Sequence, residues 1–276
     1  MNERSRIITL TTDFGTSDTY VGIMKGVILS INPKALIVDL THAIPPQDIY
    51  EAAFSIYAAR SYFPKGTIHI IVVDPGVGSD RQAIVSHIDN AFFVCPDNGV
   101  LSYLLHGAEN AEAHPIESVA IQNAAYYLPE VSNTFHGRDI FAPVAAHLSL
   151  GVPFDDIGPR VKTLVRLPIQ VPEFTGNTLT GQIVKIDRFG NAITNISETA
   201  IARLESTSTA ETPIYEIRVG SARLNRLNRA YAESDIGKPL AIIGSCGLLE
   251  IAINGGNAKE GLGIKWGDTV VVQRFD

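Results

Sequence analysis

The chain has 276 residues, 45% hydrophobic and 18% charged, with a formal net charge of −7. That length admits one large domain or two ordinary ones, and the composition suits a globular protein with a sizeable core. The acid excess, with no Lys/Arg cluster to offset it, excludes the footprint of a nucleic-acid-binding surface. No apolar run approaches the roughly 18 residues of a membrane span, so no membrane partner is expected. Cys95 and Cys246 are far apart and lack metal-ligand spacing; both are read as small core-filling thiols. The N-terminus lacks the apolar stretch of a signal peptide, and a cytoplasmic location is expected.

The first half alternates strand and helix signals. Residues 6–12 are β-branched and read as a strand, and residues 19–31 carry helical spacing at Val21, Met24, Ile28 and Ile31 before Asn32-Pro33. A second strand is expected over 35–40, a second helix over 48–61, a buried strand over 67–73 and a hairpin over 83–88 and 91–95. Helices are expected over 99–105 and 140–150. Apolar strands alternating with helices imply a mostly parallel sheet with helices on both faces, an α/β domain. After residue 160 the pattern changes. Short strands are expected over 181–187, 214–219, 240–243, 249–253 and 269–275, separated by tight turns at 187–191 and 254–257. This reads as a smaller all-β, barrel-like domain. The expected division is 1–165, a linker over 166–176, and 177–276.

Polar residues collect at the ends of the expected strands. The first ends in Thr12-Asp13-Phe14-Gly15, the third in Asp74-Pro75-Gly76-Val77-Gly78 with Arg81 soon after, and the hairpin in Pro96-Asp97-Asn98-Gly99. Ligands in open α/β sheets bind outside the carboxyl ends of strands, so one site is expected there. Asp13 serves equally well as a helix N-cap, and Asp74-Pro75-Gly76 as a simple turn. "GVGSDR" lacks the Gly-Lys-Ser/Thr ending of a phosphate loop, and no His or Cys set has the spacing of a metal site. His42, His69, His87, His106, His114 and His147 have no partner nameable from sequence and are read as surface or satisfied core histidines. In the second half, "KIDRFGNAITNI" and "IIGSCGLLEIAINGGNA" place Asp187, Asn191, Ser245 and Asn254 in amide-rich turns. Such turns suit either hairpin geometry or hydrogen bonding to a polar ligand.

Six segments occur in order: "TLTTDFGTSDTYVGIMKGVI", "HIIVVDPGVGSDR", "PDNGVL", "TFHGRDIFAPVAAHL", "IDRFGNAITNI" and "GSCGLLEIAINGGNA". Together they resemble the S-adenosyl-L-methionine hydrolase (hydroxide adenosyltransferase) family, whose relatives include fluorinases and chlorinases. The resemblance spans roughly residues 6 to 275. It implies an α/β domain followed by a β-barrel domain, a homotrimer with substrate held where neighbouring subunits meet, and attack of water or hydroxide at the ribose 5′ carbon of S-adenosylmethionine to give adenosine and methionine. No cofactor is implied, and adenosine is a candidate to co-purify. A non-catalytic binding or sensing module is the alternative, followed by halide-dependent adenosyl transfer.

The resemblance assigns Asp74, Arg81 and His136 as the catalytic set. Water, with a pKa of about 15.7, is the weak partner and needs a base or a positive field. His136 has an intrinsic pKa of about 6.5, suited to chemistry near neutrality. Asp74 is expected to orient the imidazole, and Arg81, which stays protonated, to favour hydroxide and hold Asp74 ionised. The neighbours Arg138 and Asp139 are expected to pair or to cap the following helix. Asp13 matches the acid on the ribose hydroxyls. Asp18, Asp187 and Ser245 match positions around the methionine end. Asn191 and the backbone near Asn254–Gly255 match the adenine edge, with Phe14 and Phe189 as apolar walls. Gly137 stands where the halide-using relatives carry a serine, and Asp74 where they carry no acid, which disfavours the halogenating branch; Cys246 stands where they carry an arginine, so the methionine carboxylate is expected to be held otherwise.

Overall fold

The computed structural model describes residues 7–110, 116–206 and 214–275, so His114 lies outside the described residues. The chain divides into two compact units, Met1–Pro168 and Ile169–Asp276. No helix among the described residues is long and apolar enough to cross a membrane.

In the first unit, β1 (Ile7–Thr12), β2 (Leu36–Thr41), β3 (Ile68–Val72), β4 (Ala83–Ile88), β5 (Ala91–Pro96) and β6 (Glu117–Ala120) form a six-stranded sheet in the order β2-β1-β3-β5-β4-β6. The β1–β2, β1–β3 and β3–β5 pairs are parallel, but β4 runs antiparallel to β5 and β6. The sheet is therefore mixed rather than mostly parallel throughout. The cause is local. Asp89 and Asn90, at φ 49° and 65°, make a two-residue turn that sends the chain straight back, whereas a parallel neighbour needs a long crossover.

Helices cover both faces, and the strands show why. In β3, Ile70 and Val72 face one core, with Val21, Met24 and Ile28 of α1 (Tyr20–Ile31) and the apolar residues of α4 (Ala142–Leu150). Ile71 and the following Val73 face the other core, with Ala52, Ala53 and Ile56 of α2 (Ile49–Ala59) and Leu101, Leu104 and Leu105 beside and within α3 (Ser102–Asn110). Each fully buried Ile or Leu contributes about 1.5–3 kcal/mol, so this alternation fixes the strand register. α2 begins where Asp48 accepts from the Glu51 amide, and α4 ends at Gly151 in the left-handed conformation.

The second unit holds β7 (Glu173–Thr175), β8 (Thr178–Ile186), β9 (Ala192–Ser197), β10 (Ile214–Val219), β11 (Ala222–Leu224), β12 (Leu227–Asn228), β13 (Pro239–Ile243), β14 (Leu248–Ile253) and β15 (Thr269–Phe275). They form a nine-stranded sheet, β11-β10-β15-β8-β9-β14-β13-β12 with β7 on β8. β11 comes back beside β13, giving a nearly closed, barrel-like wall. The unit is not all-β: α5 (Glu198–Glu205) starts at the Ser197 cap and buries Ile201 and Leu204 in the barrel core, and α6 (Ala258–Gly261) follows the Asn257 cap.

Candidate functional site

A cavity of about 410 Å³ opens at the carboxyl ends of β1 and β3, lined among others by Asp13, Phe14, Asp74 and His136. Asp13 does not cap α1, whose first turn begins at Thr19 without a side-chain cap. Instead its Oδ2 accepts from the Gln47 amide at 2.8 Å. Gln47 adopts φ 67°, a conformation uncommon outside glycine. The apolar wall is three aromatic rings, Phe14, Tyr20 and Phe135, with centroids 5.2–5.8 Å apart. Asp18 is exposed and lines neither this cavity nor the second one described below.

Asp74, Arg81 and His136 form a linear array with Arg81 in the middle. Arg81 Nε lies 3.0 Å from both Asp74 oxygens, and one terminal nitrogen contacts Asp74 as well. The same nitrogen lies 2.7 Å from His136 Nδ1. Guanidinium only donates, so Nδ1 accepts and the imidazole proton sits on Nε2. Asp74 therefore does not orient the imidazole directly; it fixes Arg81, which does. Burial first, and then the Arg81 charge, push the His136 pKa below the ordinary histidine value, against the opposing pull of Asp74, Asp139 and the Ser132 backbone. The ring is neutral near neutrality. Gly78 lets the two halves of the array approach: at φ +77°, a Cβ there would lie 2.4 Å from the Asn133 carbonyl oxygen.

The segment after His136 is unusual. Gly137–Phe141 winds as a π-turn, with the Ala142 amide donating to the Gly137 carbonyl, before Pro143 opens α4. Such widened turns recur at functional sites. Arg138 and Asp139 do pair, through Nε–Oδ1 at 2.5 Å and Nη2–Oδ2 at 3.0 Å. Asp139 is fully buried and also accepts from the Ser132 amide and hydroxyl at 2.9 and 2.8 Å. Burial opposes its ionisation, but Arg138 and Ser132 outweigh it and hold the carboxyl below its usual range. Asp139 thus ties down the strand of chain that delivers His136, rather than capping the following helix.

The second unit carries its own cavity, of about 790 Å³, lined by Asp187, Phe189, Asn191, Ser245, Asn254 and Gly255. Asp187 Oδ1 accepts from the Phe189 and Asn191 amides at 2.9 and 2.8 Å, and Oδ2 lies 3.3 Å from Asn191 Nδ2. Asn254 Nδ2 donates to the Ser234 carbonyl at 2.6 Å. Phe189 is 74% exposed, an apolar ring with an open face. Tyr231 and Glu250 line the same cavity and were not anticipated from sequence. The signal for Glu250 was present: a single acid inside the apolar strand "LLEIAI". Cys246 is half-buried at this cavity, Cys95 is buried, and neither is in a disulfide.

The histidines outside the site have partners of their own. His42 bridges Thr12 Oγ1 at 2.9 Å and Asp39 at 3.0 Å, and His69 meets Thr9 Oγ1 at 2.7 Å and stacks on Phe93. His87 stacks on Phe92 and His147 packs against Tyr126.

The chain is similar to known proteins. Residues 8–158 match the SAM hydroxide adenosyltransferase N-terminal domain, and residues 181–271 match the C-terminal domain of the same name. A protein of Thermus thermophilus named (R)-S-adenosyl-L-methionine hydrolase is 39% identical over 92% of this chain and 94% of its own. A fluorinase of Actinoplanes sp. is more distant, at 28% identity over 97% of each chain. The crystal structure of an uncharacterized conserved protein from Thermotoga maritima superposes with a TM-score of 0.87 at 37% identity, covering 97% of this chain and 100% of that one. With both domain matches in order and near-full-length relatives, the chain belongs to the SAM hydroxide adenosyltransferase family.

Proposed function

We propose that this protein hydrolyses S-adenosyl-L-methionine to adenosine and L-methionine, with water or hydroxide attacking the ribose 5′ carbon. The observation that carries this is the Asp74–Arg81–His136 array, whose Asp74 and His136 line the first cavity, in a member of this family. A sulfonium leaves readily, so the protein's task is to make and place the nucleophile. Arg81 supplies a fixed positive charge, and Asp74 holds its guanidinium along one edge, through Nε and a terminal nitrogen. Such a preorganised field favours hydroxide over water. His136 reaches a proton on water through Nδ1 only if Arg81 releases that atom. The resting contact therefore favours hydroxide stabilised by Arg81 over proton abstraction by the ring. The reaction consumes only water, and we assign it no cofactor.

Asp13 is placed to take the ribose hydroxyls, since a carboxylate can accept from both. We assign the adenine and amino-acid ends to the second cavity, contributed by the neighbouring subunit of a homotrimer. Six of the nine binding residues named from the sequence line that cavity, which supports the reading. Unpaired cysteines suit a reducing compartment, and we place the reaction in the cytoplasm. Halide transfer is disfavoured at Gly137: a Cβ there would already lie 3.2 Å from Met24 Sδ and from the Phe135 ring, leaving little room for a serine donor. Incubation with S-adenosylmethionine is expected to release adenosine and methionine in equal amounts. Saturable binding with no adenosine after prolonged incubation would overturn the reading in favour of a sensing module.

A further inference from the structure

Glu250 lies in the middle of β14, 6% exposed, and lines the second cavity. Its strand neighbours Leu249 and Ile251 are fully buried apolar residues. Tyr231 donates its hydroxyl to Oε1 at 2.6 Å. Among the described residues no donor reaches Oε2. That oxygen lies over Gly244, where a Cβ would come within 2.7 Å of it, so the glycine makes room for the carboxylate. Among the described residues, no Lys or Arg lines the cavity. A carboxylate removed from water with no cation beside it is costly, and an apolar residue would serve the strand better. Burial pushes the Glu250 pKa above the usual carboxylate value despite the Tyr231 hydrogen bond, with Asp187 adding to the rise, and a cation entering the cavity would favour the ionised form.

The resemblance assigns Asp187 and Asp18 to the methionine end, and both differ in setting from Glu250. The Asp187 oxygens are engaged by three donors of their own turn, and Asp18 is exposed outside both cavities. We propose that Glu250 is a specificity-determining residue whose Oε2 accepts from the ammonium group of an amino-acid-bearing nucleoside, with Tyr231 fixing the carboxylate through Oε1. On the function proposed above, that group is the α-ammonium of S-adenosylmethionine, and the identity of the ligand rests on that reading.

Two probes that do not turn over separate the possibilities. S-adenosylhomocysteine carries the ammonium; 5′-methylthioadenosine has the same nucleoside and sulfur but no ammonium. Calorimetric titration of the full-length wild type, Glu250→Gln and Tyr231→Phe reads both affinities. Glu250→Gln is expected to weaken S-adenosylhomocysteine by about 10- to 100-fold, the loss of a charged hydrogen bond, and to leave 5′-methylthioadenosine within about twofold. Retained binding of the second probe also shows that the variant is folded. Equal binding of S-adenosylhomocysteine by wild type and Glu250→Gln overturns the proposal, because Gln mimics a protonated bystander. So does parallel loss of both probes reproduced by Tyr231→Phe, which would make Glu250 only a support for the aromatic wall. A wild type that discriminates as expected but never hydrolyses S-adenosylmethionine overturns the hydrolase reading and leaves this one standing; binding of neither probe overturns both.

Discussion

Arg81 donates to Nδ1 of His136 across 2.7 Å, so the catalytic imidazole rests neutral with its proton on Nε2. Protonating it would set a second positive charge against the first.

This contact has a pH signature. His136 titrates below the ordinary histidine value because of burial and then the Arg81 charge. The neutral ring that accepts from Arg81 therefore persists to lower pH than an unperturbed histidine allows, and activity falls only as pH drops through the depressed pKa and the protonated ring repels the guanidinium. Arg81→Met removes one of the two lowering causes and leaves Asp74 to raise the pKa. Its residual activity is expected to be down about 100- to 1000-fold, with the acid limb shifted to higher pH. kcat/KM measured against pH in both proteins checks the direction; an unmoved limb would contradict it.

Asp139 gives a stability prediction. Its carboxyl is fully buried and held below its usual range, so its contribution is present above the unfolded pKa and lost as pH falls through the folded one. Asp139→Asn strands Arg138 and loosens Ser132, and a loss of about 3 kcal/mol is expected. Because that segment delivers His136, kcat is expected to fall as well. Urea unfolding at neutral and acidic pH checks both: the gap between variant and wild type narrows in acid.

His69 works with the opposite charge. Burial first, then Arg60, lower its pKa to about 4. The unfolded state binds this proton more tightly, so stability is full above about pH 6.5 and declines toward pH 4 by about 3 kcal/mol. His69→Phe keeps the stacking volume beside Phe93 but cannot titrate. It is expected to flatten the stability profile in that window. An unchanged slope would place the acid sensitivity elsewhere.

Much of this was legible in the chain because the signals are local. Alternation in β3 and the Val21, Met24, Ile28 spacing of α1 announce a two-faced sheet. Asp13 and Asp74 announce themselves as acids closing apolar strands. What stayed hidden depends on contacts distant in sequence. Arg81 and His136 are 55 positions apart, and nothing in either segment says that the guanidinium, not Asp74, faces the ring. β9 was concealed because "NAITNI" is short and follows the Asp187–Asn191 turn. β6 was missed for a similar reason: a four-residue edge strand carries too little pattern. Glu250 was overlooked because an acid in a strand reads as an exposed side chain until the cavity around it is seen.

The most direct test is turnover of S-adenosylmethionine in halide-free buffer made with heavy-oxygen water, with products read by mass spectrometry. Attack at the 5′ carbon places heavy oxygen in adenosine and none in methionine, and Arg81→Met slows its appearance. Unlabelled adenosine, or product that forms only when chloride is added, would contradict hydroxide transfer by this site.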